Sequence, residues 1–517
     1  MNVPRRISRL AEVDRESESA RLELVHCRAA GQEGDVQLSG NRQFTMALTL
    51  AAYCGLVLAG VSHHEPWADE AQAWVLSRDL SYRYLLFHQL AYEGHPPLWP
   101  TILWVASHWF HLPYQSLGWI GSLCAIAGCW FFCRYSPFPL WVRVLFPFTY
   151  FMAFQYAIVA RPYVLLPLCT FAAAYTFADA ERRPWRFVVA ASALAMVTAP
   201  GVMMALGLVT SRAWYAFRSR VGIPRHARKR LIAAAIVFGL VLAFIVFVNW
   251  PPADRTNARG DRQAAAGGDA GNFGFRALPS EVATAFFGSP IPSIAFLILV
   301  GAWCACRRRF LVFALPLLAL LAFFVKVYGS LWHCGALTLI VVSALWIAWP
   351  LPMRNFGKLG WALNAFMAVG AVAFFAVNGY WTARTFEMDY SRSYSGSLDV
   401  ANFLRSARAD RSSTCGFEFH TVAVQPYFQG SIFKNWPEGE AFWRFEEGNH
   451  SDEDCYGAKW VVAPICCTFE VSKQSIWAND RMLRSLGYFP AHVSRGAMFF
   501  QGREVEPTDF VVYRRER

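Results

Sequence analysis

The chain has 517 residues, of which 55% are hydrophobic and only 16% charged, and that balance excludes a single soluble domain, because the apolar residues fall in long blocks separated by Arg, Pro or Gly. Its formal charge of +12 does not point to nucleic acid, because the bases sit in short clusters beside the apolar blocks, where orientation in a bilayer calls for them. The thirteen Cys show no metal-binding spacing, since Cys304 and Cys306 stand too close for a CxxC unit.

Residues 1–43 mix Arg and Glu with little periodicity and lack the apolar core and small-residue cleavage site of a signal peptide, so they read as a disordered cytoplasmic tail. The run from Phe44 to Val61 is long enough to cross a bilayer. Directly after it, His63 to Pro100 gathers carboxylates, histidines and aromatics as no other stretch does, with Asp69 and Glu70 near its start. Further apolar blocks cover roughly 117–133, 143–159, 162–178, 187–217, 231–249, 290–305, 310–327, 331–349 and 360–380.

The segment from Pro96 to Leu112 is apolar but carries His108 and His111. Laid along the interface rather than across the membrane, it puts the Arg134/Arg143 link inside, as the positive-inside rule requires. The block 187–217 is then a hairpin broken at Thr198-Ala199-Pro200-Gly201. The stretch from Ser211 to Arg230, with seven Lys or Arg and no acid, also falls inside, as does Arg307-Arg308-Arg309. The expected fold class is an α-helical polytopic membrane protein of about 11 spans with a small C-terminal α/β extracytoplasmic domain. Its expected parts are the tail (1–43), a transmembrane module (44–381) with a catalytic outer loop at 63–116, and the extracytoplasmic domain (382–517).

In that last region helical patterns (Ser397 to Arg408, Ser472 to Leu486) alternate with strand-like runs (Thr414 to Phe419, Lys459 to Pro464, Ala497 to Gln501, Asp509 to Tyr513). Outside the cytoplasm Cys415 is free to pair with Cys455 or with one of Cys466 and Cys467. Asn449-His450-Ser451 fits a glycosylation acceptor, a short match close to chance. The Gly- and Ala-rich stretch 250–289 reads either as a plain surface loop or as a lid above a site.

Two stretches, Trp67-Ala68-Asp69-Glu70-Ala71 and Tyr92-Glu93-Gly94-His95-Pro96-Pro97-Leu98, together with the first span and the following apolar blocks, resemble the GT-C glycosyltransferases. That group includes the protein O-mannosyltransferases and the lipid A aminoarabinose transferase. The likeness covers the layout of the membrane half and only these stretches in detail. It implies transfer of a sugar from a polyprenyl-phosphate carrier to a lipid, glycan or protein acceptor outside the cytoplasm. Separately, the positive-inside topology puts the N-terminus in the cytoplasm, and an Ala- and Arg-rich chain with a small outer domain suits a bacterial inner membrane. The chain departs from the aminoarabinose transferase pattern at His95, where a Lys is expected, and at the break 198–201, which also lacks a Lys.

The chemistry of such a transfer asks for a base and for cations. An attacking hydroxyl gives up its proton to one carboxylate, and a phosphate leaving group departs as an anion that positive charge must hold. Asp69 is the expected base, against the alternative of a helix-capping acid, and Glu70 orients the acceptor or shares the proton. Arg161, in the turn Ala160-Arg161-Pro162-Tyr163, is the expected phosphate holder, with Tyr163 beside it and Lys326 a second candidate. Glu93, His95 and His333 either bind substrate or, being of the right type, hold a divalent metal; no other cofactor is expected. The remaining partners are membrane lipids, and no nucleic acid. Two other classes use related substrates: a flippase for lipid-linked sugars, and a glycan polymerase or ligase. Nearly acid-free spans and the lack of an internal repeat favour the transferase.

Overall fold

The computed structural model describes residues 40–218, 225–255, 274–327, 329–353, 357–446, 455, 457–465 and 480–516. Residues 1–39, the middle of the 250–289 stretch, the Asn449-His450-Ser451 acceptor and most of the expected helix 472–486 lie outside the described residues.

The first helix, α1 (Gly40–His63), is followed by α2 (Ala68–Asp79) and α3 (Leu98–His108). Eleven residues rise only about 16 Å in a helix, half the thickness of a bilayer core, so α3 is too short to span. The long helix α4 (Ser116–Tyr135) comes next.

The expected block 143–159 is not a span. Pro147 stops the six-residue helix α5 (Leu140–Leu145), and the chain continues through single turns to Arg161. The hairpin expected in 187–217 is present, as α7 (Pro184–Ala195) and α8 (Ala199–Arg218) after α6 (Leu166–Phe177). At the break the Thr198 hydroxyl accepts the Gly201 N–H at 3.2 Å, capping the new helix.

The helices that follow are α9 (Arg225–Val248), α10 (Leu278–Phe286), α11 (Pro290–Cys306), α12 (Phe310–Lys326), α13 (Gly335–Ala348) and α14 (Lys358–Ser391). Gly207 on α8 admits the backbone of α12, because a Cβ there would stand 2.4 Å from the Pro316 nitrogen.

Among the described residues five segments are long and apolar enough to cross a membrane, Arg42–His63, Ser116–Tyr135, Arg228–Val248, Leu331–Ala348 and Gly360–Ser391. A sixth forms if α10 and α11, bent by 77°, count as one. The helical membrane character expected from composition is therefore present, and the span count is below eleven. Other apolar stretches form helices shorter than that, Pro162–Phe177, Pro184–Ala195 and Phe310–Lys326, and the block 143–159 is interrupted at Pro147.

The C-terminal region holds α15 (Ser397–Ser406) and strands β1 (Thr414–Gly416), β2 (Trp460–Ile465), β3 (Tyr488–Ser494), β4 (Ala497–Phe500), β5 (Arg503–Pro507) and β6 (Asp509–Arg515). One sheet has the order β1-β2-β6-β3, with β1 parallel to β2, and β4 pairs with β5 in a separate hairpin. The strand-like runs near β1, β2, β4 and β6 match the sequence expectation. Strands β3 and β5 were not legible, since β3 buries only its two ends and carries Pro490 at a bulge. Cys415 is bonded to Cys455, one of the pairings left open by the sequence. Cys466 and Cys467 lie outside the described residues.

Candidate active site

Helix α2 begins after Glu65-Pro66-Trp67, and the Trp67 N–H donates to the Glu70 carboxylate at 3.2 Å, closing the first turn. Consecutive residues on a helix are turned by about 100°, so the two adjacent acids face different neighbours. Asp69, Gln72, Ala73 and Leu76, spaced as one helical face, line a cavity of about 180 Å³. Glu70 lies behind that face, fully buried.

Across the cavity stand Glu93, His95 and Trp99, from the second resemblance stretch and the start of α3, with Arg161 and Pro162 closing one side. Arg161 Nη2 meets Asp69 Oδ2 at 2.7 Å, with side-chain exposures of 9% and 24%. The guanidinium lies between the rings of Trp67 and Tyr163, 5.6 and 5.5 Å from their centroids. Because both rings hold it over the cavity, the cation is oriented as well as neutralised.

Glu70 is otherwise engaged. Its Oε1 accepts the Ala160 N–H at 2.6 Å, and its Oε2 faces His64 Nε2 at 3.3 Å. The other ring nitrogen of His64 faces Asp389 Oδ1 at 3.2 Å. Burial works against a charged His64, yet the two carboxylates outweigh it and raise its pKa to about 10, so the ring is an imidazolium donating to both. This buried chain ties α2, the Arg161 turn and α14 together.

Glu93 is half-buried, and its Oε1 accepts from Gln72 at 2.9 Å and from Gln89 at 3.2 Å. Burial raises its pKa to about 7, against the lowering effect of those two donors and of Arg255. His95 is driven down to about 3, first by burial and then by Arg161 and Arg255, so it is neutral at ordinary pH. Between them Gly94 turns the chain at φ 72°, and a Cβ there would stand 3.1 Å from Arg255 Nη2.

The C-terminal domain closes the cavity. Phe419 and Phe445 line it, and the Trp443 backbone is gripped by Gln72 at both ends, carbonyl at 2.8 Å and N–H at 2.9 Å. Glu65 caps α15 from outside, accepting from Ser397 Oγ at 2.9 Å and from the Leu398 N–H at 2.7 Å.

Of the expected site residues, the fold brings Asp69, Glu93, His95 and Arg161 to one cavity and Tyr163 against Arg161. His333 is buried beside Tyr163, its ring 5.7 Å from the tyrosine's, but does not line the cavity, and Lys326 is exposed and lies off it. Glu93, His95 and His333 do not fit a divalent-metal centre. Among the described residues no three His, Cys, Asp or Glu are grouped to hold one, and Arg161 and Arg255 already place positive charge there.

Sequence reasoning missed Arg255, Gln72, the His64–Asp389 contact and the two phenylalanines. Only Gln72 had a signal, its place three residues after Asp69 on a helical stretch.

Comparison with known proteins gives no match. No family model, no curated protein and no solved structure matches the chain significantly. The likeness to the GT-C glycosyltransferases therefore rests on the two stretches quoted above.

Proposed function

We propose that this chain is a membrane glycosyltransferase that moves a sugar from a polyprenyl-phosphate donor to a lipid, glycan or protein hydroxyl on the outer face of the membrane. The observation that carries the reading is the contact of Asp69 with Arg161 at the wall of a cavity also lined by His95. A base and an anion-holding cation stand side by side, which is what transfer from a phosphate requires.

In this reading the donor phosphate takes over Arg161 and Arg255, and Asp69, released from its ion pair, accepts the proton of the attacking hydroxyl. The acceptor oxygen bonds the anomeric carbon as the bond from that carbon to the phosphate oxygen breaks. The phosphate leaves with the electron pair and needs no acid, unlike the leaving oxygen in glycoside hydrolysis. Neutral His95 supplies a hydrogen bond without adding charge. Glu70 positions rather than reacts, holding the Ala160-Arg161 turn through the Ala160 amide.

The expected orientation, with a cytoplasmic N-terminus, the C-terminal domain outside and a bacterial inner membrane as the home, is part of the same proposal. The basic runs flanking the apolar segments and the Cys415–Cys455 bond support it.

The test is transfer in membranes from cells lacking the protein, with and without the restored chain, supplied with a panel of radiolabelled polyprenyl-phosphate sugars. Label moving into a lipid, polymer or protein fraction only when the chain is present supports the reading and names the acceptor class. Label that changes membrane face without leaving its carrier indicates a flippase instead.

A further inference from the structure

A second cavity of about 350 Å³ lies among α4, α11, α13 and α14. None of the residues that line it lines the Asp69 cavity. Its walls are almost wholly apolar, with Thr338, Val341, Val342 and Leu345 presenting one helical face of α13 to it. Trp141, 40% exposed, stands at its edge, so the cavity communicates with the surroundings of the helices. The volume is within the range of about 300–1,000 Å³ usual for small-molecule sites.

Among the described residues that line it, Arg307 alone is charged. Its Nη1 donates to the Trp349 carbonyl at 2.7 Å and also to the Leu351 carbonyl, and its guanidinium stacks 4.1 Å over Trp303. Its Nε–H is buried with no hydrogen-bond partner. A guanidinium fixed by two carbonyls and a ring, with one donor unsatisfied at the end of an apolar chamber, matches an amphiphile with an anionic head.

We propose that this cavity holds one acyl chain of an anionic phospholipid whose phosphate docks on Arg307. The second chain lies along the exposed apolar face of α14, where Val369 and Val372 are 67% and 60% exposed. The site is independent of the transferase reading, and it would make the fold of the helices around α13 sensitive to lipid composition.

The test uses the full chain purified in detergent and incubated with equal amounts of phosphatidylglycerol and phosphatidylcholine, followed by native mass spectrometry of retained lipid. The expected result is one phosphatidylglycerol per chain, retained at least tenfold over phosphatidylcholine. Arg307→Gln should abolish that preference, and Ala371→Trp, which fills the chamber and leaves Arg307 in place, should abolish retention. Equal retention of the two lipids by the natural chain overturns the proposal. So does undiminished retention in Ala371→Trp, which decides the matter by itself if Arg307→Gln does not fold.

Discussion

Asp69 and Glu70 grip consecutive residues of one turn: Asp69 meets the Arg161 guanidinium at 2.7 Å, and Glu70 accepts the Ala160 amide at 2.6 Å. One carboxylate faces the cavity and the other the protein interior, so they answer differently to substitution.

Asp69→Asn keeps the shape of the cavity wall and removes the proton acceptor. Transfer is expected to fall by about 10²–10⁴, with the thermal unfolding midpoint near that of the natural chain. Glu70→Gln is expected to do the reverse in emphasis. It leaves the His64 imidazolium with one fewer carboxylate, and breaking such a buried pair destabilises by about 3–5 kcal/mol. Thermal unfolding in detergent, run beside the transfer assay, separates the two.

Stability should also depend on pH through His64. Its pKa in the folded chain, about 10, is above the ordinary 6.5, so the stabilisation is fully present below pH 6.5 and is lost as pH rises through 10. Glu65, raised to about 7 chiefly by burial, also makes stability fall with rising pH, but only between its ordinary value of 4.5 and 7. Unfolding midpoints measured from pH 7.5 to 10 lie above the Glu65 window, and the difference between the natural chain and His64→Gln isolates the histidine. The midpoint should fall across that range, and His64→Gln should start lower and stay flatter.

Gln72 is the clasp between the cavity and the C-terminal domain. Gln72→Ala removes two hydrogen bonds to the Trp443 backbone and one to Glu93, and each buried group left unsatisfied costs about 1–3 kcal/mol. Faster amide exchange is expected around Trp443 and Phe445, with KM raised more than kcat is lowered. Unchanged exchange there would show that the closure is held by other contacts.

Loss of the Cys415–Cys455 bond is expected to destabilise the C-terminal domain by about 2–5 kcal/mol. Adding a reductant should lower the unfolding midpoint of the natural chain and leave that of Cys415→Ser unmoved.

Much of the site was readable because its chemistry is local. Asp69 sits in the first turn of a helix, Glu93 and His95 flank a glycine turn, and Arg161 interrupts two apolar runs, all visible as departures from the surrounding pattern. What the sequence hid depends on the third dimension. Arg255 belongs to a Gly- and Ala-rich stretch that carries no periodicity, and only the fold brings it against Gly94. Phe419 and Phe445 stand more than three hundred residues from Asp69 and reach the cavity because Gln72 and Asp79 anchor their segment to α2. The expected cooperation of Asp69 with Glu70 treated neighbours in sequence as neighbours in space, which a helical turn does not allow. The extra span expected at 143–159 had a related cause: hydropathy sums over Pro147, where the backbone stops being α-helical.

The measurement that bears most directly on the proposed chemistry is donor binding and transfer by the purified natural chain and Asp69→Asn, side by side, with a labelled polyprenyl-phosphate sugar. The prediction is that both bind the donor, through Arg161 and Arg255, and that only the natural chain releases polyprenyl phosphate and glycosylates acceptor. Equal transfer by the two proteins would contradict the assignment of Asp69 as the base and with it the reading of this cavity as the active site.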